Sequence, residues 1–76
     1  LERQIEIGAR YKHFKGNTYR VMMLAKDSET KEDIVIYKAI YGDCKIWVRP
    51  LNMFMEQITR DGNTFNRFEE IETNQT

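Results

Sequence analysis

The sequence predicts an all-β domain, a small β-barrel of about five strands with one short helix or 3₁₀ turn after Pro50. Three observations predict it. Turn residues punctuate the chain at short, regular intervals: Gly8, Gly16-Asn17, Asp27-Ser28-Glu29-Thr30, Gly42-Asp43 and Asp61-Gly62-Asn63. The runs between them are rich in β-branched and aromatic residues and alternate with period 2. A single stretch, just after the only proline, switches to helical spacing. Closing such a sheet on itself protects its edges, and an open sheet covered by the helix is the competing architecture.

The elements follow in order. Residues 1–7 hold Ile5 and Ile7, which either open a strand or form an arm. His13, between Lys12 and Phe14, reads as part of a first strand, and Gly16-Asn17 as a turn. From Thr18 to Ala25, Tyr19, Val21, Met23 and Ala25 are expected on one face, with Thr18, Arg20, Met22 and Leu24 on the other. Ile34 to Tyr41 sets Ile34, Ile36 and Ile40 against Val35, Tyr37, Ala39 and Tyr41. Lys45 to Arg49 sets Ile46 and Val48 against Trp47 and Arg49. After Pro50, residues Leu51, Phe54, Met55 and Ile58 fall at i, i+3, i+4 and i+7, one helical face that would plug an open barrel end. Asp61-Gly62 reads as a hairpin turn between Gln57–Arg60 and Thr64–Glu69. Residues 73–76 are expected to be disordered. The 76 residues form one domain with its core at about 8–70.

Composition excludes several functions. No apolar run approaches the roughly 20 residues that span a bilayer, and no segment reads as a signal peptide. Cys44 is the only cysteine, so neither an internal disulfide nor a cysteine zinc cage can form. A cytoplasmic protein without a membrane role is expected. The formal net charge is zero, which argues against strong non-specific nucleic-acid binding. Basic residues gather early (Arg3, Arg10, Lys12, Lys15, Arg20), whereas Glu69, Glu70 and Glu72 close the chain. Either a local basic patch persists, or the acidic end lies over the early segment and cancels it.

The candidate site is a strand face. Tyr37, Ala39 and Tyr41 share one side of a strand, and a tight Gly42-Asp43 turn brings Trp47 and Arg49 alongside. Small Ala39 between the two tyrosines would leave a shallow depression with a methyl floor and ring walls. Trp47 offers a stacking plane, and Arg49 a fork for carboxylate or phosphate. The plain alternative is that these rings are core and that Arg49 pairs with a turn carboxylate such as Glu29. His13, the only histidine, lies two residues from Tyr11, so both project from the same face. Tyr11, His13, Glu29, Tyr37, Tyr41, Trp47 and Arg49 could therefore converge. His13 as a general base is weighed against a partly buried, backbone-bonded histidine. Ser28 has neither an adjacent base nor an oxyanion hole, and no glycine pattern cradles phosphate. No cofactor and no metal are indicated.

The motifs Tyr11-Lys-His13-Phe14-Lys-Gly16-Asn17, Tyr19-Arg20-Val21, Ser28-Glu29-Thr30, Val35-Ile-Tyr37-Lys-Ala39-Ile-Tyr41-Gly42 and Trp47-Val48-Arg49-Pro50-Leu51 with Met53-Phe54 resemble, in order and spacing, an uncharacterised bacterial family known as domain of unknown function 1653. The resemblance spans roughly residues 8 to 68. It implies an SH3-like barrel and no established activity. Asp27 stands where that family usually has histidine, which leaves a paired-histidine metal site without its second imidazole. A module binding a small polar or anionic ligand (nucleotide, short single strand or peptide end) is the leading expectation. The alternative is a structural or adaptor protein that homodimerises or docks through a strand edge. An enzyme ranks third, since so short a chain has little material for a deep pocket.

Overall fold

The computed structural model describes residues 4–71. Seven strands and one helical turn follow one another: β1 (Arg10–His13), β2 (Thr18–Lys26), β3 (Asp33–Ala39), β4 (Ile46–Pro50), α1 (Leu51–Phe54), β5 (Gln57–Arg60), β6 (Asn63–Asn66) and β7 (Phe68–Ile71). They build a five-stranded antiparallel sheet in the order β4-β3-β2-β1-β7, and a separate β5–β6 hairpin. The chain is mainly β, as the alternation predicts. The sheet does not close into a barrel: β4 and β7 remain its two edges, and the helical turn lies against the inner face instead. The expected disordered segment, residues 73–76, and residues 1–3 of the expected arm lie outside the described residues.

The turns obey local chemistry. Asp61 and Gly62 have φ of 53° and 81°, the paired positive values of a type I′ hairpin, and Arg60 pairs directly with Asn63. In the β2–β3 turn the Asp27 carboxylate accepts the N–H groups of Glu29 (2.8 Å) and Thr30 (3.1 Å). Those two bonds favour the charged form and hold the Asp27 carboxyl below its ordinary value. The predicted helical face is cut short. Only Leu51–Phe54 is helical, with the Met55 N–H closing on Leu51 C=O, and Ile58 belongs to β5 opposite Phe65. The run 64–69 likewise breaks at Arg67 into β6 and β7.

Alternation in β2 fails at one point. Val21 opposes Tyr37 but Met23 opposes Ile36, so a bulge at Met22 shifts the parity of the rest of the strand. Leu24, opposite the fully buried Val35, therefore shares the inner face, and Met23 and Ala25 lie on the outer one, contrary to the sequence expectation.

The core is Tyr11, Val21, Val35, Tyr37, Phe54 and Phe68, with Ile5, Ala9, Tyr19, Leu51 and Met55 packed on it. Phe54 and Phe68 stack with centroids 4.0 Å apart and planes 5° from parallel. Tyr37 meets both edge-on at 5.2 and 5.5 Å, and Tyr11 meets Phe54 edge-on at 5.3 Å. Residues 4–9 form no strand. Gly8 N–H bonds Val21 C=O at 2.8 Å, and the Glu6 N–H donates to the Tyr11 hydroxyl at 2.9 Å, so this arm is tied to the sheet. At the far edge β7 sets Glu69 opposite Lys12 and Glu70 opposite Tyr11. Of the early basic residues, Lys12 faces an acidic one across this pairing, whereas Arg10 faces Ile71. Glu72 lies outside the described residues.

Candidate functional site

Cross-strand partners share a face, so the ladder places Tyr11, His13, Tyr19, Tyr37, Ala39, Trp47, Arg49 and Phe68 on the inner side of the sheet. The strand reading expected Tyr11, His13, Glu29, Tyr37, Tyr41, Trp47 and Arg49 to converge, and the tertiary packing divides them into separate groups.

Tyr11 and Tyr37 are core, 1% and 4% exposed, and their rings contact Phe54. Glu29 stays apart in the β2–β3 turn, exposed, and its carboxylate forms no ion pair with Arg49. Arg49 instead donates from Nε to the Tyr37 hydroxyl (3.3 Å) and lies over the Phe68 ring, 5.8 Å from its centroid.

His13 is clamped on both sides. It stacks on Phe14 at 4.5 Å and meets Phe68 edge-on at 4.9 Å, while its Nδ1 accepts the Lys15 N–H at 3.1 Å. Nδ1 is thus an acceptor and the neutral ring carries its proton on Nε2. Burial, then the neighbouring charges of Arg49, Arg67 and Lys15, lower its pKa below 6.5. At neutral pH His13 is an uncharged donor, already engaged with backbone through an N–H and not the expected carbonyl. Because the folded pKa lies below the unfolded one, the unfolded chain takes up the proton first on acidification. The contribution of neutral His13 to stability is full above about pH 6.5 and is lost as pH falls from there toward the folded value. Denaturant melts should show the His13→Asn variant losing less stability than the parent between pH 7 and 5. Equal losses would mean that His13 is not the group responsible.

The third group opens to solvent. Ala39, Tyr41, Asp43, Cys44, Lys45 and Trp47 line a depression of about 300 Å³. Ala39 is 3% exposed, whereas Tyr41 and Trp47 are 44% and 48% exposed. The 40–45 segment that shapes it turns through positive φ at Gly42 (56°) and Cys44 (55°) and is held by Cys44 N–H to Tyr41 C=O and Ala39 N–H to Lys45 C=O. Tyr41 is fixed from behind by a 3.0 Å hydroxyl contact with Tyr19. Desolvation, followed by that hydrogen bond, pushes the Tyr19 phenol up to about 12. The methyl-floored depression of the sequence reading is present, with Trp47 in place of Tyr37 as its second wall. Lys45, Asp43 and Tyr19 were not singled out from the sequence. Lys45 was legible, two residues before Trp47 and so on the same face; the Tyr19 contact joins distant strands and was not.

A second depression of about 290 Å³ lies beside Lys31, Glu32, Asp33, Leu51 and Asn52, with charges of both signs. Among the described residues no group of three or more His, Cys, Asp or Glu could hold a metal ion. No helix among them is long and apolar enough to cross a membrane.

An antiparallel sheet with a helical turn on its inner face and a small aromatic depression at one end describes a mainly β domain of the uncharacterised kind that the motifs suggested. Residues 9–70 match the family model described as protein of unknown function (DUF1653), and the chain belongs to that family. A crystal structure of a DUF1653 protein from Bordetella bronchiseptica is similar to it with a TM-score of 0.76 and 25% sequence identity, over 91% of each chain. Comparison with curated proteins gave no match.

Proposed function

We propose that this domain is a binding module for a small, flat, anionic ligand of the nucleotide type, seated in the depression between Tyr41 and Trp47. One observation carries the reading: two half-exposed aromatic rings stand over a buried alanine floor beside Lys45, in a domain whose other large rings are mostly packed inside. Ala39 leaves room for a planar group between the rings. The Lys45 ammonium suits a phosphate or carboxylate at the rim, and the Asp43 carboxylate can accept a hydrogen bond from an amine on the ligand. Arg49 and His13 do not line the depression and each already has protein partners, so neither is given a ligand contact.

The test is an amide NMR titration with nucleoside monophosphates, following the Trp47 indole N–H, with short oligonucleotides and small carboxylates run separately. Saturable shifts confined to residues 39–47 are expected with the nucleotides. Base–aromatic stacking contributes about 1–3 kcal/mol per base, so Trp47→Ala should weaken binding roughly 5- to 150-fold while the folded spectrum persists. A well-dispersed spectrum that no nucleotide perturbs at millimolar concentration would remove the nucleotide reading, and a response to carboxylates alone would replace it.

A further inference from the structure

β4 is an edge strand of unusual character. Ile46, Trp47 and Val48 are 62%, 48% and 65% exposed, and among the described residues no strand pairs with its outer side. The other edge, β7, carries Glu69 and Glu70, charges of the kind that discourage edge pairing; β4 has no charge among Ile46-Trp47-Val48.

The ladder tells which backbone groups are free. Ala39 N–H bonds Lys45 C=O at 2.9 Å, so Ala39/Lys45 is a hydrogen-bonded pair. Hydrogen-bonded and non-bonded pairs alternate in antiparallel sheets. Tyr37/Trp47 and Val35/Arg49 therefore use their amides between β3 and β4. Ile46 and Val48 direct N–H and C=O outward, and Pro50, which has no N–H, offers only its C=O.

We infer that β4 pairs antiparallel with β4 of a second copy of this chain, about a two-fold axis at Val48. In this register the two Val48 residues exchange both backbone bonds, and Ile46 N–H donates to Pro50 C=O of the second copy. The missing proline N–H then falls at the seam's ends, where it breaks no central bond. Charge selects this register over its neighbour. An axis at Val48 sets each Trp47 opposite Arg49 of the second copy, on the inner face, and opposes no like charges. An axis at Trp47 would set Lys45 opposite Arg49, and directly opposed like charges destabilise a pair. On the outer face the seam joins Ile46, Val48 and Pro50 to the same residues of the second copy, continuing the row Val48–Ile36–Met23 already present in each sheet. The result is a ten-stranded sheet across two chains, with the second copy's Arg49 brought beside the Trp47 wall of the depression.

Light scattering or sedimentation of the full chain across micromolar to millimolar concentration should show mass rising from 9.1 kDa toward twice that value. Val48→Lys, which opposes two like charges on the axis, should weaken association up to about fivefold. Its circular dichroism should be unchanged, because that side chain is already exposed. In a Cys44→Ser background, Val48→Cys should cross-link to itself on mild oxidation, since bonded antiparallel pairs sit about 5.5 Å apart at Cα, within disulfide range. Trp47→Cys should not. A chain that stays at 9.1 kDa at millimolar concentration overturns the inference, as does cross-linking of Trp47→Cys in preference to Val48→Cys. Val48 does not line the depression, so weaker association in Val48→Lys with nucleotide shifts retained separates this inference from the ligand reading.

Discussion

Phe68→Ala should cost the domain a large part of its stability and lower its Tm by more than about 12 °C. Phe68 is 1% exposed, and four aromatic partners converge on it: Phe54 stacked at 4.0 Å, and His13, Tyr37 and Tyr19 edge-on at 4.9, 5.5 and 5.8 Å. Arg49 lies over the same ring. Truncating a buried phenylalanine costs about 3–5 kcal/mol through lost transfer energy and the cavity left behind. At roughly 0.05–0.15 kcal/mol per residue a chain of this length has about 4–11 kcal/mol in total. A domain of this size loses about 4–8 °C of Tm per kcal/mol, so the fall should exceed about 12 °C. Phe68→Leu keeps most of the volume and should fall much less. Thermal melts by circular dichroism check both; a drop of only a few degrees in Phe68→Ala would show that Phe54 and Tyr37 close over the gap.

Tyr11→Ala is expected to be nearly as severe, and its comparison with Tyr11→Phe divides the cost. The ring is buried against Phe54, and the hydroxyl accepts the Glu6 N–H at 2.9 Å. The phenylalanine variant keeps the packing and leaves that N–H without its hydroxyl partner, a change of about 1 kcal/mol. Alanine adds the loss of the ring, about 3–5 kcal/mol in comparable sites. Hydrogen exchange at Glu6 should accelerate in Tyr11→Phe with the core strands unchanged. If Glu6 keeps its protection, the arm is held chiefly by Ile5 and the Gly8 bond to Val21, and the hydroxyl matters little.

The site was partly legible for a specific reason. Side chains two apart on a strand share a face, so Tyr11 with His13, Tyr37 with Ala39, and Trp47 with Arg49 could each be placed from spacing alone. Burial along that face could not. Tyr37 lies under α1 and is closed off, whereas Tyr41, four residues on and past the end of β3, is left open beside Trp47. Glu29 shows the same limit from the other side. Its turn was recognised, but a turn's position against β4 depends on strand lengths and pairing, and no ion pair with Arg49 forms.

What the sequence determined by itself was local: mainly β structure, the hairpin at Asp61-Gly62, a helical turn after Pro50, and the family to which residues 9–70 belong. These rest on backbone preferences and alternation within a few residues. Only the tertiary structure decided that the sheet stays open, that the bulge at Met22 exchanges the faces of Met23 and Leu24, and that β7 leaves the hairpin to pair with β1. Each of those outcomes joins residues far apart in the chain. A ladder register is set by the packing of whole faces, and one inserted residue reverses every side chain beyond it.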